Sequence, residues 1–95
     1  MPLFVMIGHD GPRGLELRKV HRPAHLAGLE ELERAGRIRH AGPILGDGGA
    51  PLGSVVLFEA ESLAEAQAIA ARDPYVTQGI FARYEVRETT VVFPR

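Results

Sequence analysis

The stretch Leu3-Phe4-Val5-Met6-Ile7 decides the fold. It is a short unbroken apolar run, ended by His9-Asp10-Gly11-Pro12. Asp-Gly and Gly-Pro are both turn signals, so the run reads as a strand leading into a loop. Leu3, Val5 and Ile7 fall on one face of such a strand, Phe4 and Met6 on the other. Both faces are apolar, which suits a central strand covered on both sides.

A helix is expected over residues 14–35, where Leu26, Leu29 and Leu32 recur at helical spacing and Gly36 supplies a stop. Pro23 either starts the main helix or bends a longer one; the longer helix, beginning near Leu15, is the expectation. Residues 37–45 and 53–60 read as two strands joined by the turn cluster Gly46-Asp47-Gly48-Gly49-Ala50-Pro51. Ser62-Leu63-Ala64-Glu65 is a capping box opening a second helix, with Leu63, Ala66, Ile69 and Ala70 as its buried stripe. Arg72-Asp73-Pro74-Tyr75 ends that helix and Gln78-Gly79 turns the chain. A last strand is expected over residues 80–93, with Ile80, Ala82, Tyr84 and Val86 on one face and Phe81, Arg83, Glu85 and Arg87 on the other.

This order, βαββαβ, predicts one α+β domain spanning residues 1–95. Its arrangement is ferredoxin-like, with a four-stranded antiparallel sheet carrying two helices on one face. Two helices leave the far face bare, yet the first strand is apolar there too. A second copy of the chain is expected to cover it, giving a homodimer packed sheet to sheet as a dimeric α+β barrel.

Composition narrows the chemistry. The 95 residues carry 11 Lys and Arg against 12 Asp and Glu, a net charge of −1, with neither sign in a run. Nucleic-acid binding, which needs clustered positive charge, is disfavoured. No apolar stretch approaches a membrane span and the N-terminus lacks a signal pattern, so a cytoplasmic protein with no membrane partner is expected. With no Cys there is no thiol nucleophile or thiolate metal site. His9, His21, His25 and His40 are the side chains whose ordinary pKa lies near neutrality.

His25 stands four residues before Leu29 and seven before Leu32, which turns its ring toward the sheet side of the first helix or its margin. Asp73 ends the second helix. Helices lying side by side would let the two approach, and an imidazole facing a carboxylate is a general-base pair. A carboxylate at a helix C-terminus also faces the negative end of the helix dipole, which stability alone would not favour. The plainer readings are a half-exposed structural histidine, and an Asp73 that simply caps a short turn begun by Pro74. His21 and His25, four apart, form half of a metal site, but no spacing announces a third ligand, and no metal is expected. Arg18 and Arg22 also repeat at four residues and could hold an anionic group, or simply pair with surface carboxylates. The glycine-rich stretch after Leu45 lacks the Lys-Ser/Thr of a phosphate loop.

Several segments together carry a resemblance. They are the first strand closing in Asp10, Leu17-Arg18, Arg22-Pro23-Ala24-His25-Leu26, Gly36, Ala41-Gly42-Pro43, Gly53-Ser54, and Asp73-Pro74-Tyr75-Val76 with Gly79. In these the chain resembles the YciI-like (YCII-related) family of small bacterial proteins, almost end to end. The resemblance implies a ferredoxin-like domain that dimerises through its sheet and a site centred on His25 and Asp73, with Arg18, Ser54 and Tyr75 nearby as substrate-binding residues. It also implies acid–base work without a cofactor, an elimination or isomerisation of a small polar or anionic metabolite. The alternative is a module on the same scaffold that binds a small molecule or a partner without turning it over. His21 is an additional helix histidine relative to the family pattern.

Overall fold

The computed structural model describes residues 1–95. The elements run β1 (Leu3–Asp10), α1 (Gly14–Arg34), β2 (Ile38–Leu45), β3 (Pro51–Glu59), α2 (Leu63–Ala71), α3 (Pro74–Thr77) and β4 (Phe81–Thr89). The strands form one antiparallel sheet in the order β2-β3-β1-β4. This is the expected ferredoxin-like α+β arrangement, with one addition, the short helix α3. No helix is long and apolar enough to cross a membrane.

The two-sided first strand sits at the centre, Met6 opposite Val56 of β3 and Val86 of β4. Phe4 and Met6 point under the helices and join Val56, Phe58, Ala66, Ala70, Tyr75, Ile80 and Phe81 in the core. Leu3, Val5 and Ile7 of β1, with Val55 and Leu57 of β3, stand on the helix-free face, half-buried. The helix α1 runs unbroken through Pro23, so a single long helix forms, and its buried residues are Gly14, Arg18 and His25.

Three details depart from the sequence reading. Leu63, placed in the buried stripe of α2, is 44% exposed, because the buried face is Ala66 and Ala70 alone, with Ile69 at its edge. The alternation expected for the last strand fails at its start. His9 pairs with Arg83 but Asp10 with Phe81, so Ala82 is an extra residue in β4. Such a bulge reverses the alternation. Phe81 is thereby turned into the core on the same side as Val86, while Ala82 is exposed, and β4 stops at Thr89 rather than Phe93. The capping box is also offset: Ser62 Oγ accepts from the Glu65 N–H at 3.1 Å, but the Glu65 carboxylate accepts from the N–H of Glu61, not Ser62. That hydrogen bond, ahead of the charge of Arg37, holds the Glu65 carboxyl below its ordinary pKa.

Where β1 and β3 pair at Gly8–Ser54 and His9–Gly53, the backbone is close-packed. Gly8 lies under the Phe81 ring, and a Cβ built on Gly53 would run into the Gly8 carbonyl oxygen. Backbone cannot yield there as a flexible side chain would. Gly53→Ala should lower stability by about 1–3 kcal/mol, the usual range for overpacking. The urea midpoint reads this directly, and a midpoint equal to that of the parent protein would show that the pairing can open.

Candidate functional site

Asp73 has φ −63° and ψ 130°, the extended backbone of a cap residue, and its Oδ1 accepts from the Tyr75 N–H at 2.8 Å. It therefore stands at the positive N-terminal end of α3, not at an unfavourable C-terminus of α2, whose C-cap is Arg72. The dipole argument for strain at Asp73 is thus removed: the carboxylate is well placed as a cap. The same carboxylate meets the first helix. His25 Nδ1 lies 2.8 Å from Oδ1 and 2.9 Å from Oδ2 of Asp73, both side chains being largely buried.

An ionised carboxylate only accepts, so Nδ1 carries the proton and the lone pair of the neutral ring resides on Nε2. No hydrogen bond within the protein reaches Nε2, and no fully enclosed side-chain nitrogen or oxygen lacks a partner. Nε2 is therefore open to a cavity. The ring is stacked on Tyr75, centroids 3.8 Å apart and planes at 5°. Tyr75, 1% exposed, also meets Phe81 edge-on at 5.7 Å. The Arg18 guanidinium lies 4.9 Å from the Tyr75 ring centre.

Arg18 is anchored. Its Nε and Nη2 bind the two Asp10 oxygens at 2.7 and 2.9 Å, and Nη2 also reaches Gly53 O at 2.9 Å and Ser54 Oγ at 3.1 Å. Side-chain exposure is 11% for Arg18 and 8% for Asp10, so this is a buried ion pair. The hydrogen bonds that Arg18 donates to Asp10 raise the guanidinium pKa above its ordinary value. Only Nη1 is without a protein partner, which leaves Arg18 little capacity for a bidentate grip on a ligand. Asp10, read from sequence as part of a turn, is the missing member of the site; its signal was a carboxylate closing an otherwise apolar strand. Arg22, Lys19 and His21 lie on the same helix, Arg22 and Lys19 exposed and in no ion pair. Nowhere do three His, Asp or Glu side chains converge as metal ligands, His21 and His25 included.

Two concavities share His25. One, of about 610 Å³, lies under α1 and α2 and includes Asp73, Arg72 and Ile69. The other, of about 420 Å³, is a groove between α1 and the β2–β3 pair and includes Arg18, Arg22, Ser54 and Tyr75. Of the sequence-singled residues, His25, Arg18, Ser54 and Tyr75 thus line one groove, with Asp73 behind the imidazole.

Comparison with known proteins agrees with this architecture. A family model described as YCII-related domain matches residues 2–90. Protein YciI of Escherichia coli O6:H1 is 42% identical over 97 residues, covering 96% of this chain and 99% of that protein. An uncharacterized protein of Haemophilus influenzae is 35% identical over 96 residues, covering 95% and 98%. Among solved structures, the 5-chloro-2-hydroxyhydroquinone dehydrochlorinase TftG of Burkholderia phenoliruptrix AC1100, in complex with 2,5-dihydroxybenzoquinone, superposes with a TM-score of 0.84. It is 34% identical, with 93% of each chain covered.

Burial raises the Tyr75 phenol above its ordinary pKa, the nearby cations of Arg18 and Arg22 opposing this only in part. The native state then holds the phenolic proton more tightly than the unfolded chain does. The associated stability is complete below the ordinary phenol value of about 10 and is lost as pH rises through the native value. The chain has two tyrosines, so in Tyr84→Phe an alkaline absorbance titration reads Tyr75 alone, and its midpoint should lie above the ordinary phenol value. A midpoint at or below that value would refute the assignment.

Proposed function

The chain belongs to the YCII-related domain family, and from that premise we propose that it is a cofactor-independent acid–base catalyst acting on a small polar or anionic molecule, with His25 as the base. The carrying observation is the His25–Asp73 hydrogen bond, with Nε2 left free at the edge of a cavity. His25 Nε2 takes a proton from an acidic C–H or O–H of the ligand. The imidazolium so formed is stabilised by the Asp73 carboxylate on one edge and by the stacked Tyr75 ring, a cation–π contact. The proton then returns to a second atom, which is isomerisation, or accompanies a departing group to solvent, which is elimination. The dehydrochlorinase activity named for TftG is of the second kind and supports this class of reaction. Ser54 and Tyr75 supply hydroxyls at the groove wall, and Arg18 fixes Ser54 and the Tyr75 ring.

General acid–base catalysis of this type contributes about 10²–10⁴-fold, so His25→Ala should lower turnover of 5-chloro-2-hydroxyhydroquinone, or of any substrate identified, by about that factor. Asp73→Asn is the sharper companion, because Asn also caps helices well and leaves α3 intact while removing the charge. A substrate-free check is the nitrogen NMR signature of the His25 ring in its neutral form, which should carry its proton on Nδ1. A proton on Nε2 instead would contradict the base assignment, an undiminished rate in His25→Ala would retire His25 as the base, and absence of turnover in the parent protein would leave a binding module.

A homodimer is part of the same proposal. Leu3, Val5, Ile7, Val55 and Leu57 form an apolar strip that no helix covers, and a second copy offers the same strip in return. Sedimentation at micromolar concentration should give a dimer, and Val5→Asp with Leu57→Asp should give a folded monomer. A parent protein that sediments as a monomer would remove this part.

A further inference from the structure

We infer that the ligand of this site is a small carboxylate with an apolar body, that it enters through the groove between α1 and the β2–β3 pair, and that Arg22 and Lys19, not Arg18, hold its anionic group. The inference rests on the proposed role of His25 as the reacting group and adds what lies in front of it.

The two concavities sharing His25 differ in charge. The larger one is balanced, Glu31 and Asp73 against Arg37 and Arg72, with Arg37 itself bound to Glu65 at 3.0 Å. The smaller groove is lined by Arg18, Lys19 and Arg22 and by no carboxylate. Asp10 neutralises Arg18 from behind, so the unbalanced charge belongs to Lys19 and Arg22. Two uncompensated cations in a chain of net charge −1 make a local anion site that the overall composition conceals.

Orientation points the same way. Asp73 holds Nδ1 and borders the larger cavity only, while Ser54, Tyr75 and Arg18 border the groove only. The two nitrogens lie on nearly opposite edges of an imidazole, so Nε2 turns toward the groove. Inside, Leu26, Leu29 and Val56 give an apolar floor, and Pro43 and Pro51 form a rim without side-chain donors. A volume of about 420 Å³ is within the ordinary range for small-molecule sites. Cations toward the start of α1 and apolar side chains further along it suit an amphipathic anion.

The test uses benzoate and its neutral isostere benzamide as probes, followed by amide NMR on the full chain. Benzoate should shift the signals of Gly42 and Ser54 and bind about tenfold more tightly than benzamide, as a charge-assisted contact requires. Its affinity should fall about tenfold in Arg22→Gln and decline with added salt. Arg22 is exposed, so the variant keeps the fold, which the same spectra verify. Equal affinity for the two probes, no shifts with benzoate at tens of millimolar, shifts centred on Gly28 and Ala70 of the larger cavity, or an unaltered Arg22→Gln would each overturn the inference. Binding is read without turnover. An inert protein that takes benzoate in the groove loses the catalytic reading alone, whereas an active protein whose Arg22→Gln variant binds as before loses this one alone.

Discussion

One carboxylate ties the two halves of the molecule together. Asp73 accepts the Tyr75 N–H and thereby starts α3, and the same oxygens hold His25 on α1. The first bond is local, spanning two residues, and the second spans 48 positions. The local cap orients the same carboxylate that the long-range contact uses. Because Tyr75 leaves the same turn, the carboxylate also determines where the aromatic ring lies. The ring stacks on the imidazole whose tautomer the carboxylate selects. A single cap thus sets the position, the proton and the packing of His25.

The second polar cluster works differently. Burying Arg18 with Asp10 carries a desolvation penalty of several kcal/mol per ion, which only good geometry and further hydrogen bonds offset. Both are present: two contacts to Asp10, one to a backbone carbonyl and one to Ser54. Loss of either partner would leave an uncompensated buried charge, whose typical cost of about 3–5 kcal/mol is a large part of the stability of a domain this small. Such a guanidinium is a fixture that positions the groove wall. Lys19 and Arg22 beside it are exposed and in no ion pair.

Much of this was legible in the sequence. The apolar first strand, the Ser62 cap and the turn at Gly79 are local signals, and they gave the element order and hence the sheet. His25 and Asp73 were legible as candidates because helical spacing and the Arg-Pro-Ala-His and Asp-Pro-Tyr segments marked them. What escaped has a common cause. The bulge at Ala82, which redirects Phe81, arises from the pairing of β4 with β1, and no residue within β4 announces it. The exposure of Leu63 follows from how closely α2, facing inward with alanines, approaches the sheet. For Arg18 the sequence left an anion grip and pairing with a carboxylate both open, and it did not point to Asp10, eight residues away on another element, as the partner. Pairing between elements, not patterning within them, separates a free charge from a sequestered one.

That distinction also limits the chemistry open to the site. Around the groove, Tyr75 holds its phenolic proton because burial raises its pKa, and under the proposed function His25 is the group that accepts and then releases a proton. Its ring is fixed by Asp73 on one edge and by Tyr75 on a face, so it cannot swing across a bound ligand. Under the proposed function, removal and return of a proton by this base then occur on the same side of the substrate. An isomerisation here is suprafacial. An elimination by this base alone suits a leaving group that departs without protonation, as a halide does. Ser54 and Tyr75, which line the groove with His25, carry hydroxyls able to hydrogen-bond an enolate-like oxygen as charge develops there. One base presented at a fixed face, with Lys19 and Arg22 lining the same groove, narrows the reaction class under the proposed function, and the elements that meet at the imidazole set that face.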